Sequence, residues 1–170
     1  FISLLFSILS LSVSAQKPTK AEKAAQLEQE FQQTRQLIES NHFQFELNRV
    51  YPQDGQDLSR FNPRGKFVIT DSVAKGTLPF FGRAYSLPYG EGGGIEFDGV
   101  MKDQSLKIEH KKKRKILIYR FSITAKNDTY QISMEISGGG NCSVNLNSNN
   151  RAQISYSGTV SPVKDETGKS

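Results

Sequence analysis

Three stretches of this 170-residue chain bring chemically capable side chains close together. The first is Leu78-Pro79-Phe80-Phe81-Gly82-Arg83-Ala84-Tyr85, followed by Tyr89-Gly90-Glu91-Gly92-Gly93-Gly94. Pro79 cannot donate to a strand ladder and belongs at an edge or bulge. Gly82 permits a sharp backbone turn. Aromatic faces beside one guanidinium can hold an anionic or aromatic ligand. Phe80, Phe81, Arg83, Tyr85 and Tyr89 are therefore the candidate ligand-binding residues. The competing reading is packing, with Phe80 and Phe81 in a core and Arg83 paired to Asp98 or Asp71.

The second stretch is Lys107 to Lys115, KIEHKKKRK. The whole chain carries a formal charge of +5, and this run alone accounts for it. Lys111, Lys112, Lys113, Arg114 and Lys115 form the candidate surface electrostatic patch. Such a patch suits peripheral contact with an anionic envelope surface. The plainer reading is a solvated hairpin tip that keeps strand edges from pairing with other chains.

The third is Glu96 and Asp98, two carboxylates on one face of an expected strand. They could work as an acid and base pair in a hydrolase, or stand as an ordinary solvated face. The usual apparatus of catalysis is thin. GEGGG lacks the Lys-Ser of a phosphate loop, and no Ser sits in a nucleophile elbow. His42 and His110 have no triad context. One Cys and two His exclude a disulfide scaffold and a multi-Cys/His zinc site. No catalytic residue, metal or cofactor is assigned.

Elements must position these groups, and the periodicity names them. Residues 1–13, FISLLFSILSLSV, have the length of a signal-peptide core, and Val13-Ser14-Ala15 suits cleavage after Ala15. The expected organisation is a signal peptide over 1–15, a linker and N-terminal helix over 16–40, a β domain over 41–160 and a polar tail over 161–170. Thr19 with Glu22 is a capping box, and Ala24, Leu27, Phe31, Thr34 and Ile38 make one apolar stripe. Asn41 is a suitable stop.

From His42 onward the period becomes two. Alternation is read around Phe43–Leu47, Phe67–Ile69, Ile95–Phe97, Leu106–Ile108, Ile116–Ile123, Tyr130–Ile136, Cys142–Leu146 and Ala152–Val160. One-sided alternation with turn residues between predicts a mainly β fold. It is an N-terminal helix followed by an antiparallel meander of eight or nine strands, as a barrel or half-open barrel. A two-sheet sandwich is the alternative. The lone Cys142 reads as a buried small apolar group.

LPFFGRAY, GGGIEFDG (92–99) and RAQISYSG (151–158) together resemble the pattern of a domain-of-unknown-function family of exported bacterial envelope proteins. The likeness runs over roughly 30–160. It implies a mostly β fold and an envelope location, and no chemistry. Members are described as lipoprotein-like, and this chain shows no lipobox Cys.

These observations lead to an exported protein, periplasmic or associated with the cell envelope. The expected function is a non-catalytic binding module for a small ligand or envelope component. Two alternatives stand beside it: a structural or partner-binding envelope protein using the helix or basic hairpin, and the Glu96/Asp98 hydrolase. Nucleic acid is not an expected partner of an exported chain.

Overall fold

A computed structural model describes residues 19–85, 93–111, 114–125 and 128–164. Residues 1–15, expected to be a signal peptide, lie outside the described residues, as do Tyr89, Lys112 and Lys113. Helix α1 spans Lys20–Glu39. The strands are β1 (His42–Pro52), β2 (Lys66–Thr70), β3 (Val73–Leu78), β4 (Ile95–Lys111), β5 (Arg114–Thr124), β6 (Thr129–Ser137), β7 (Asn141–Ser148) and β8 (Ile154–Pro162).

Each strand pairs antiparallel with the next, and β1 pairs with β8, so the sheet closes into a barrel. Closure leaves no free edge, and for that reason the half-open barrel and the sandwich are not what forms. Inward positions are apolar and filled. Phe45 stacks on Phe67 at 5.1 Å between ring centroids, Phe67 meets Phe97 at 5.8 Å, and Phe97 meets Tyr130 at 6.3 Å. An eight-stranded barrel is just wide enough to be packed by such side chains. Outward positions carry Lys66, Lys75, Glu96, Asp98 and Arg120, the pattern of a wall bathed in water.

Two strands differ from the expectation. β3 shows little alternation because its inward residues are Ala74, Gly76 and Leu78. Gly76 is small by necessity: a Cβ there would lie 2.2 Å from Phe67 Cβ. Conversely, the stretches around Ile95 and Leu106 are one strand, β4. A register shift between Lys102 and Ser105, with Asp103 at φ +54°, reverses the phase midway.

α1 begins as the capping box requires. Glu22 N donates to Thr19 Oγ1 and Thr19 N donates to Glu22 Oε2. It ends at Asn41, whose φ of +49° terminates the helix. Only the second half of the stripe is used. Phe31, Thr34 and Ile38 are buried, while Leu27 is 62% exposed and Ala24 is exposed too. The first helical turns, through Leu27, are exposed.

α1 covers the mouth formed by the β2–β3, β4–β5 and β6–β7 turns. Asp71 N donates to Asn41 O, and Lys115 Nζ bonds both carboxylate oxygens of Glu28 at 2.8 and 2.9 Å. Lys115 also sits 5.5 Å over the ring of Phe31. The opposite mouth is formed by the β1–β2, β3–β4, β5–β6 and β7–β8 connections.

Candidate functional site

The segment after β3 crosses the mouth opposite α1 as a strap. Pro79 ends the ladder, and its carbonyl accepts a 2.9 Å hydrogen bond from Tyr156 Oη. At Gly82 a Cβ would stand 2.9 Å from Phe80 Cζ, so the missing side chain lets the Phe80 ring fold back over its own backbone. The strap is then sewn to the β7–β8 loop. Tyr85 N donates to Asn150 O (2.8 Å) and Ala152 N donates to Arg83 O (2.9 Å), an isolated bridge between Ala84 and Arg151.

This geometry separates the candidate ligand residues. Phe80 is half-buried against the core. Phe81, Arg83 and Tyr85 are exposed, Tyr85 by 62%. Tyr89 lies outside the described residues. Pro52, Gln53 and Asp54 on one side, with Gly82, Arg83, Tyr85 and Ala152 on the other, line a groove of about 460 Å³. That volume is in the range of small-ligand sites. Arg83 is not paired with Asp98, which Lys75 engages at 2.7 Å on the outer wall. Asp71 sits far off in the β2–β3 turn.

Beneath the strap lie two residues that sequence reasoning did not single out. Arg151 is 5% exposed, and its guanidinium carbon lies 5.2 Å from the Phe80 ring centroid. Its Nε is 3.9 Å from Oδ2 of Asp128, whose carboxylate is 7% exposed. Asp128 also closes the β5–β6 turn, accepting from Thr129 N through Oδ1 and from Ser148 Oγ through Oδ2. Burial pushes the Tyr156 phenol well above its ordinary range, and the nearby Arg151 charge works the other way. The only sequence signal for Arg151 was its place in RAQISYSG. Its partner is remote along the chain, so no local spacing joins them.

The basic patch is the β4–β5 hairpin, with Lys111 opposite Arg114 in register. Two of its cations are engaged within the chain. Lys111 Nζ pairs with Glu135 at 2.6 Å, and Lys115 with Glu28 as above. Arg114 is exposed. Glu96 and Asp98 sit together on the outward face of β4, both exposed, away from the strap and its groove.

Comparison with known proteins agrees with this architecture. The family model described as "Domain of unknown function (DUF4251)" matches residues 25–160. A crystal structure of a DUF4251 family protein from Bacteroides eggerthii DSM 20697 is similar in fold. Its TM-score is 0.57 at 22% sequence identity, over 82% of this chain and 91% of that one. No curated protein matches this chain.

Proposed function

From the premise that this chain belongs to the DUF4251 family, we propose that it is a non-catalytic binding module acting in the periplasm or cell envelope. It holds a small ligand or envelope component at the barrel mouth opposite α1. The observation that carries this reading is the groove of about 460 Å³ walled by Arg83 and Tyr85. Exposed aromatic rings on a strap contribute little to folding, whereas beside a guanidinium they form a recognition surface. The apolar leader over 1–15 supports export. The filled barrel centre favours a ligand at the mouth over one in the lumen.

Native mass spectrometry of protein purified gently from cell envelopes tests the reading. A co-purifying mass, reduced in Arg83→Ala and Tyr85→Ala, is the expected result. A ligand-free spectrum, with Arg83→Ala leaving pull-downs from envelope extract unchanged, sinks it.

A second reading has its own observation. The solvent-exposed first turns of α1 carry Leu27 at 62% exposure, which suits a partner-binding envelope protein. Removing residues 16–27 tests it while leaving Glu28, its bond to Lys115 and the buried Phe31 in place. Unaltered co-purification with envelope fractions removes this reading. The basic hairpin enters it as an anionic-surface contact, tested by Arg114→Gln.

A further inference from the structure

The mouth opposite α1 holds a buried cation with two of its three guanidinium nitrogens lacking a hydrogen bond among the described residues. Nε and Nη1 of Arg151 are buried without a hydrogen-bond partner among the described residues. Asp128 Oδ2 is the nearest charge, and at 3.9 Å from Nε it balances charge without accepting a hydrogen bond. The bonds that Asp128 does accept come from Thr129 N and Ser148 Oγ, which hold the carboxylate in the β5–β6 turn at that distance from the guanidinium. The Phe80 face is at 5.2 Å and accepts nothing directionally. Desolvating a guanidinium is costly, and each unmade buried donor adds to the cost. Native folds satisfy such groups, so these N–H groups call for an acceptor that the described residues do not supply.

We propose that Arg151 is the anchor for the carboxylate of a small organic acid. The proposal rests on the reading of this mouth as the binding site and names the ligand class. Two features narrow that class and a third ties the anchor to the groove. Asp128 already balances the Arg151 charge, so a bound carboxylate adds one net negative charge to the site, and a multiply charged group would add more against the Asp128 carboxylate. The Phe80 ring lies 5.2 Å from the guanidinium carbon, which suits an apolar or aromatic body beside it. Ala152, next to Arg151 in the chain, lines the groove with Arg83, so the groove wall and the anchor belong to one loop. Entry loosens the strap, which two backbone hydrogen bonds tie to that loop.

The test uses the mature chain with benzoate and octanoate as probes. Benzyl alcohol and 1-octanol are the uncharged controls, and inorganic phosphate is the competing anion. The arginine Nε–H resonance that disappears in Arg151→Lys identifies the reporter. Saturable movement of that resonance by at least one carboxylate, and by neither alcohol, is the expected result. Arg151→Lys should weaken calorimetric affinity roughly tenfold or more, the scale of a lost charge-assisted hydrogen bond. Asp128→Asn retains the anchor and removes its counter-charge, so it should tighten carboxylate binding. A purely structural pair would lower stability without that gain.

The anchor is overturned if neither carboxylate moves the reporter, if Asp128→Asn leaves affinity unchanged, or if phosphate binds more tightly than both acids. Loss of binding in Arg83→Ala but not in Arg151→Lys overturns the anchor while keeping the mouth as the site. Envelope-derived ligand retained equally by both variants overturns both readings.

Discussion

The ring of Phe45 lies directly on the backbone of Gly158. A Cβ at that position would stand 2.7 Å from Phe45 Cε2 and 2.1 Å from the carbonyl oxygen of Glu46. Gly158 is an inward residue of β8, beside the irregularity at Leu47/Arg49 where β1 meets it. The missing side chain therefore does two jobs: it admits an aromatic ring and lets β1 and β8 close the barrel.

Gly158→Ala should destabilise the fold by about 2–3 kcal/mol, the upper part of the range for overpacking. Urea unfolding should show a lower midpoint with an unchanged slope. Adding Phe45→Leu should recover little, because the contact with the Glu46 carbonyl persists. Full rescue by that second change would show that the ring alone sets the requirement.

The two halves of α1 should respond differently to substitution. Ile38→Ala removes a side chain that is 1% exposed and should cost about 2–5 kcal/mol. Leu27→Ala, at 62% exposure, should fall within about 0.5 kcal/mol of wild type. Thermal or urea melts of the two variants check this. Equal losses would mean that the first helical turns also pack on the barrel.

How far the sequence revealed this molecule depends on how local each signal was. The capping box, the stop at Asn41 and the alternation of β5 through β7 are read from neighbours within a few residues, and all are present. β3 was invisible because Gly76 gives way to Phe67 and the small Ala74 stands opposite Ile69, both residues of another strand. β4 looked like two strands because its bulge at Asp103 swaps inward for outward positions. The stripe on α1 was legible as a stripe, but its unburied half was not. Burial depends on where the barrel rim ends, which the helix sequence does not encode. The same holds at the candidate site. Arg83 and Tyr85 stood out through composition. Arg151 and Asp128 gained meaning only when the β7–β8 loop met the β5–β6 turn under the strap.

Alkaline pH should loosen the barrel through its buried phenols. Tyr119 Oη lies 3.0 Å from Asn41 Oδ1 and 2.9 Å from Gln104 Oε1, and burial pushes its pKa from the ordinary 10.0 up to about 12. A neutral phenol is thus favoured by folding. This contribution is complete below the unfolded-state pKa of about 10 and is lost as pH rises toward about 12. Tyr156, raised by burial as well, acts in the same direction. Urea midpoints measured across that window should fall, and Tyr119→Phe should flatten the fall. A pH profile identical in wild type and Tyr119→Phe would show that Tyr119 ionises freely in the folded protein.

Cys142 should behave as a packed apolar group with a masked thiol. It is 3% exposed on the inward face of β7, across from Gly158 and Ile136. Burial, and then the negative charge of Glu135, hold its pKa far above the ordinary thiol range. Thiolate is the reactive form, so an aromatic disulfide reagent should fail to label native protein at neutral pH. Labelling should proceed at the rate of unfolding, rising with urea. Cys142→Ala should leave a small cavity at a cost near 1 kcal/mol, while Cys142→Ser should cost more, because a hydroxyl there needs a partner the apolar lining does not offer. Rapid stoichiometric labelling without denaturant would show that the barrel wall opens at β7 on the timescale of the reaction, and the closed β7–β8 ladder would then need to be read as a mobile seam.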